Sequence, residues 1–148
     1  VVIEHRFIRN FNAAARVGVS FTPSNANALL MIRDSVITHN GSGDDGTGVL
    51  IQPNGGSAKV LINNTSINKN FVGLNVCRAP RMFRSNSNVS ESLSTGFAQG
   101  GAPNVRIGPS MIVNNSGIAT AGTVLSYGDN LINGNGLDTT PASAGGYK

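Results

Sequence analysis

The chain has 148 residues: 39% hydrophobic, 5% aromatic and 12% charged, with 19 glycines, one cysteine, no tryptophan and a formal net charge of +4. Sparse charge beside abundant aliphatic side chains excludes a disordered polyelectrolyte, and no apolar run is long enough for a membrane-spanning helix. The single Cys77 excludes a disulfide scaffold, and basic residues without interleaved aromatics exclude a recognisable nucleic-acid footprint.

The first segment, Ile3-Glu4-His5-Arg6-Phe7-Ile8, is strand-like and returns at Gly18-Val19-Ser20-Phe21. No initiating methionine or signal peptide precedes it, so the expectation is a mature or truncated chain that starts within a longer stack. The second segment runs from Leu30-Met31-Ile32 through Asp34-Ser35-Val36-Ile37 to His39-Asn40, then across a glycine-rich loop to Gly48-Val49-Leu50-Ile51. The third repeats it: Val60-Leu61-Ile62, Thr65-Ser66-Ile67, Lys69-Asn70 and Gly73-Leu74-Asn75-Val76. The fourth, Met82-Phe83-Arg84 to Ser87-Asn88-Val89 and Gly96-Phe97-Ala98, is degenerate. Arg84 stands where the better copies have isoleucine, which predicts a one-residue slip or a local distortion. The fifth, Val105-Arg106-Ile107 to Ser110-Met111-Ile112 and Asn114-Asn115, restores the pattern; the sixth is Val124-Leu125-Ser126-Tyr127 with Asn130-Leu131-Ile132 and Asn135.

The shared template is apolar-x-Ile-x-x-Ser/Thr-x-Ile-x-x-Asn, followed by glycine and an alternating apolar stretch. Its anchors, Ile3, Ile32, Ile62, Arg84, Ile107 and Tyr127, recur at roughly 20–30 residues, the range of solenoid repeats. Period-two alternation with dense Gly and Asn excludes helical repeats. The fold class expected is therefore all-β, a right-handed parallel β-helix of about five to six coils. It covers residues 1–136, and residues 137–148 form a flexible C-terminal tail or cap. Parallel stacking puts Asn40, Asn70, Asn115 and Asn135 in one column, where they take left-handed geometry and pass amide hydrogen bonds from coil to coil. Ser35, Thr65, Ser87, Ser110 and Asn130 form a second, smaller polar column.

The template, the loop Gly48-Val49-Leu50-Ile51-Gln52-Pro53 and the ending Tyr127-Gly128-Asp129-Asn130 resemble the bacterial right-handed parallel β-helix repeat proteins. That group is similar in fold to pectate lyases, polygalacturonases and phage tailspikes. The resemblance implies a secreted or cell-surface location, with polysaccharide as the expected partner.

Stacking brings Glu4, His5, Arg33 and Asp34 onto one exposed face, as a ligand-binding set or as solvated cross-rung pairs. Arg78, Arg81 and Arg84 form a basic cluster, as an anion contact or as exposed charges guarding an irregular coil. Asp44-Asp45 in the glycine-rich loop is the one adjacent carboxylate pair and the remaining candidate for calcium. Adjacent strand residues face opposite ways, and a glycosidase needs two carboxylates at a defined separation. No cofactor and no catalytic residue is therefore expected. The function expected is structural or carbohydrate-binding; the alternative is a fragment of a polysaccharide lyase or glycoside hydrolase whose site needs residues outside the chain. Exposed strand edges on the first coil predict homo-oligomers formed through that end.

Overall fold

A computed structural model describes residues 1–11, 13, 16–25, 27–42, 46–55, 58–78, 81–101 and 104–145. No described residue is helical, and every strand pairing is parallel. The first coil is β1 (Val2–Glu4), β2 (Phe7–Arg9) and β3 (Val17–Phe21). The second is β4 (Ala28–Arg33), β5 (Val36–Thr38) and β6 (Thr47–Ile51); the third is β7 (Ala58–Asn63), β8 (Ser66–Asn68) and β9 (Val72–Cys77). The fourth is β10 (Arg81–Ser85), β11 (Ser87–Ser90) and β12 (Phe97–Gly100); the fifth is β13 (Asn104–Ile107), β14 (Ser110–Val113) and β15 (Thr120–Ala121). The sixth holds β16 (Val124–Ser126) and β17 (Leu131–Asn133), closed by a bridge between Ile118 and Leu137, and β18 (Ala142–Ser143) then lies on β16.

Equivalent strands stack into three parallel sheets: sheet A in the order β1-β4-β7-β10-β13-β16-β18, sheet B from β2 to β17, and sheet C from β3 to β15. The chain is a right-handed parallel β-helix, the hand that right-twisted strands impose on parallel crossovers. Its core is built from columns of identical or near-identical side chains. Sheet B contributes Ile8, Ile37, Ile67, Val89, Ile112 and Ile132 in register. Sheet C contributes Val19, Val49, Leu74 and Phe97. Each such aliphatic side chain stabilises the fold by about 1.5–3 kcal/mol when fully buried.

Sheet A runs the third column: Ile3, Ile32, Ile62, Arg84, Ile107 and Ser126. Two expectations are corrected here. Arg84 is neither slipped nor displaced; it pairs with Ile62 and Ile107 in register and is fully buried. The sixth anchor is Ser126 rather than Tyr127, so the last coil is offset by one residue from the sequence alignment.

Two left-handed turns shape each of the first four coils. Between sheets A and B a single residue carries it: His5, Asp34, Asn64 and Asn86, with φ of 52°, 51°, 45° and 47°. Asn and Asp tolerate this region because their short polar side chains bond locally. After sheet B the left-handed residues are Asn10, His39, Lys69, Glu91 and Asn114, and each stands immediately before the ladder position. The ladder asparagines themselves are not left-handed, which corrects the sequence expectation.

What the ladder asparagines do instead is brace the backbone. Asn40 donates from its backbone N–H and from Nδ2 to Asn70 Oδ1, both at 3.0 Å. Asn115 treats Asn135 the same way, at 3.0 and 2.7 Å. Each Nδ2 also donates to a carbonyl one coil back: Asn70 to Ile37 O at 3.1 Å, Asn135 to Ile112 O at 2.9 Å. Ser92 holds this position in the fourth coil; it donates its backbone N–H to Asn115 Oδ1, while its hydroxyl has no partner among the described residues. The second polar column runs beside it, with Thr65 N–H donating to Ser87 Oγ and Arg6 N–H to Ser35 Oγ.

Beyond residue 136 the chain stays on the stack: Ala119 N–H donates to Leu137 O, and Thr120 N–H to Thr139 Oγ1.

Candidate functional site

The left-handed turn between sheets A and B projects its side chains outward, and stacking turns these into a row. At the first two coils this row joins the acid, histidine and arginine side chains. Arg33 Nη2 meets Glu4 Oε1 at 2.7 Å, His5 Nδ1 lies 3.4 Å from the same oxygen, and His5 Nε2 lies 4.0 Å from Asp34 Oδ2. Asn64 Nδ2 donates to Asp34 Oδ1 at 2.6 Å. The bond to Glu4, with its charge, raises the Arg33 guanidinium above its ordinary value. Glu4, His5 and Asp34 bring one ligand atom each within 4.8 Å of the others. An imidazole with two carboxylates is a donor set for a first-row transition ion rather than for calcium. Arg33 and Asn64 already occupy an oxygen on each acid.

From Asp34 a groove of about 700 Å³ runs along the corner across the second to sixth coils. One wall is the turn row, Asp34, Asn64, Asn86 and Pro109, ending at Asp129. The other is the outward row of sheet B, Val36, Ser66, Asn88, Met111 and Leu131, which the pairing aligns. Amides and hydroxyls therefore occupy the middle, and apolar side chains both ends; Met111 is 43% and Leu131 52% exposed. Five coils span about 19 Å at the strand spacing.

Arg84 lies beneath this floor. Its Nη2 donates to Ser87 O at 2.8 Å and Met111 O at 3.2 Å, both residues of the groove. Its Nε and Nη1 have no partner among the described residues. Desolvation without a counter-charge pulls the guanidinium down to about 9, well below its ordinary value.

The three clustered arginines are thus separated by the fold. Arg78 turns toward the loop after sheet C, donating from Nη1 to Asn54 Oδ1 at 3.0 Å. Arg81 stands on the outer face of sheet A, and Arg84 lies in the core. Arg81 has other company that the sequence reading missed: Lys59 is its in-register neighbour, and Arg106 and Tyr127 line the same shallow cleft. The signal was present in the repeat, since a correct register for residues 81–85 sets Arg81 beside Lys59. Asp44 and Asp45, the calcium candidates, lie outside the described residues. Comparison of the chain with protein-family models, with curated proteins and with solved structures finds no match.

Proposed function

We propose that this chain is a non-catalytic, carbohydrate-binding β-helix of secreted or surface type, akin to the pectate-lyase-like repeat proteins its template resembles. The supporting observation is the groove along the corner of sheets A and B, where a polar stretch at Asn64, Ser66, Asn86 and Asn88 is flanked by apolar Val36, Met111 and Leu131. An extended sugar chain has hydroxyls and weakly apolar ring faces in regular alternation, and the coil spacing is comparable with one pyranose unit. Asn64, Ser66 and Asn88 offer both donors and acceptors; Val36, Met111 and Leu131 offer apolar surface. Asp34 and Asp129 at the two ends favour neutral or amino sugars over uronides.

The test is a glycan array with the intact chain, Asn88→Ala and Met111→Glu. The reading expects retention of neutral or amino-sugar oligomers by the parent chain, and a loss of about tenfold or more in each variant, equivalent to removing one or two hydrogen bonds or apolar contacts. Retention of no glycan, or equal retention by all three proteins, overturns it. Self-association through the first coil belongs to the same reading, supported by Phe7 and Phe11, 59% and 48% exposed beside β2. A mass by light scattering that stays monomeric at high concentration argues against that part.

A further inference from the structure

The outer face of sheet A combines two features that one partner would satisfy together. Lys59 and Arg81 are in-register neighbours, about 4.8 Å apart across parallel strands, where like charges repel. Arg106 joins them in the same cleft, and none of the three has an acidic partner among the described residues. Four of the described acids are engaged elsewhere, Glu4 with Arg33, Glu91 with Lys69, Asp34 with Asn64 and Asp138 with Asn135, and Asp129 lines the end of the groove. Among these cations stand exposed aliphatic side chains. Leu29 is the next in-register neighbour of Lys59 and is 50% exposed; Val2, on the same face, is 61% exposed. Tyr127 closes the cleft at its far side.

We infer that this face docks onto an anionic lipid surface. A soluble polyanion would neutralise the cations but leave Leu29 and Val2 in water. An apolar protein patch would cover the aliphatics but strand three cations without counter-charge. A bilayer carrying anionic headgroups does both, with Lys59, Arg81 and Arg106 at headgroup level and the aliphatics at the acyl boundary. A tyrosine at the edge suits the same interface. The seven strands give a flat platform about 29 Å long at the strand spacing. Among the described residues no helix is long and apolar enough to cross a membrane, so the contact is peripheral. It uses residues outside the groove and stands whether or not the groove binds a sugar.

The experiment is co-sedimentation of the intact chain with mixed phosphatidylcholine–phosphatidylglycerol vesicles and with phosphatidylcholine alone. Partition into the mixed vesicles alone is expected, weakened about 100-fold by Lys59→Gln/Arg81→Gln/Arg106→Gln and about tenfold by Leu29→Gln. Arg6→Gln/Arg9→Gln/Arg16→Gln removes the same charge from exposed positions off this face, and is expected to weaken partition less than about threefold. Failure to partition overturns the proposal, as does an equal loss in both triple variants. Binding to heparin or DNA without vesicle binding assigns the face to a soluble polyanion. A dimer that Leu29→Gln dissolves, again without vesicle binding, assigns it to a second copy.

Discussion

Gly48 and Asn70 fit against each other only because Gly48 has no side chain: a Cβ there would stand 2.7 Å from Asn70 Nδ2 and 2.6 Å from Gly73 O. The relation recurs at Gly96, where a Cβ would stand 2.7 Å from Asn115 Nδ2. It explains why the sequence template follows its asparagine with a glycine. The ladder needs room on the neighbouring coil, and the glycine supplies it. Gly48→Ala is expected to destabilise by about 1–3 kcal/mol through overpacking against backbone that cannot yield. Asn70→Ala, which strands the buried N–H of Asn40, is expected to cost on the order of 3 kcal/mol. Urea unfolding of both variants checks this, with m-values unchanged if the denatured state is unaffected.

Arg84 occupies an isoleucine position in a closed core with two of its nitrogens unpartnered. Arg84→Met is expected to raise stability by about 1–4 kcal/mol, the range seen when buried charge gives way to apolar packing of similar size. The sign of the pH effect follows from the lowered value. With the folded-state value drawn down to about 9 and the unfolded one at its ordinary, higher value, stability of the parent chain is expected to rise as pH climbs through about 9. Melting temperatures of parent and variant should therefore converge between neutral and alkaline pH. The same substitution removes the brace under Ser87 and Met111, so groove binding should weaken while stability rises.

Asp138 receives the side-chain amide and backbone N–H of Asn135 at 2.7 and 3.0 Å, and the N–H of Gly134 at 3.1 Å. The side-chain bond from Asn135, then its backbone bond, hold the carboxyl below its usual range. A group depressed in the folded state stabilises at neutral pH, and that contribution is lost as pH falls through the folded value. Acidification is thus expected to release residues 137–143 from the sixth coil before the remainder unfolds. Amide exchange at Ala119 and Thr120, which donate to Leu137 and Thr139, reads the event directly. Asp138→Asn should lower the protection of these amides at neutral pH and leave that protection nearly independent of pH.

Lys69 and Glu91 hold left-handed turns with φ of 52° and 53°, where asparagine stands at Asn10 and Asn114. Their charged tips lie 3.7 Å apart and half exposed, a pair worth well under ~1 kcal/mol. Glu91→Asn is expected to raise stability by about 0.5–1 kcal/mol, because asparagine visits this region at lower cost. Thermal melting of the single variant is sufficient to check it.

The isoleucine columns were legible in the sequence because a stacked coil repeats its own solution. Once Ile32 and Ile62 align, Ile37 and Ile67 follow. Arg84 was not legible, since the binary pattern has no place for a guanidinium in a core, and the misfit read as a slip. In a strand a slip of one residue exchanges the two faces. The same uncertainty hid the company of Arg81: setting residues 81–85 in register pairs Arg81 with Lys59 and puts Arg106, which pairs with Phe83, in the same cleft. The left-handed positions were misassigned for a different reason. The recurring asparagine drew the assignment, yet the turn is made one residue earlier by His39, Lys69 and Asn114. The groove was legible only as a polar row, because its wall comes from outward residues of three-residue strands that carry no motif.

The most direct test of the carbohydrate-binding reading is a backbone amide NMR titration with the neutral oligosaccharide best retained on the array. The account expects saturable, concerted shifts at Asn64, Asn86, Asn88, Met111 and Leu131, with the amides of Lys59 and Arg106 unmoved. Shifts confined to other faces, or none at saturating sugar, would contradict it.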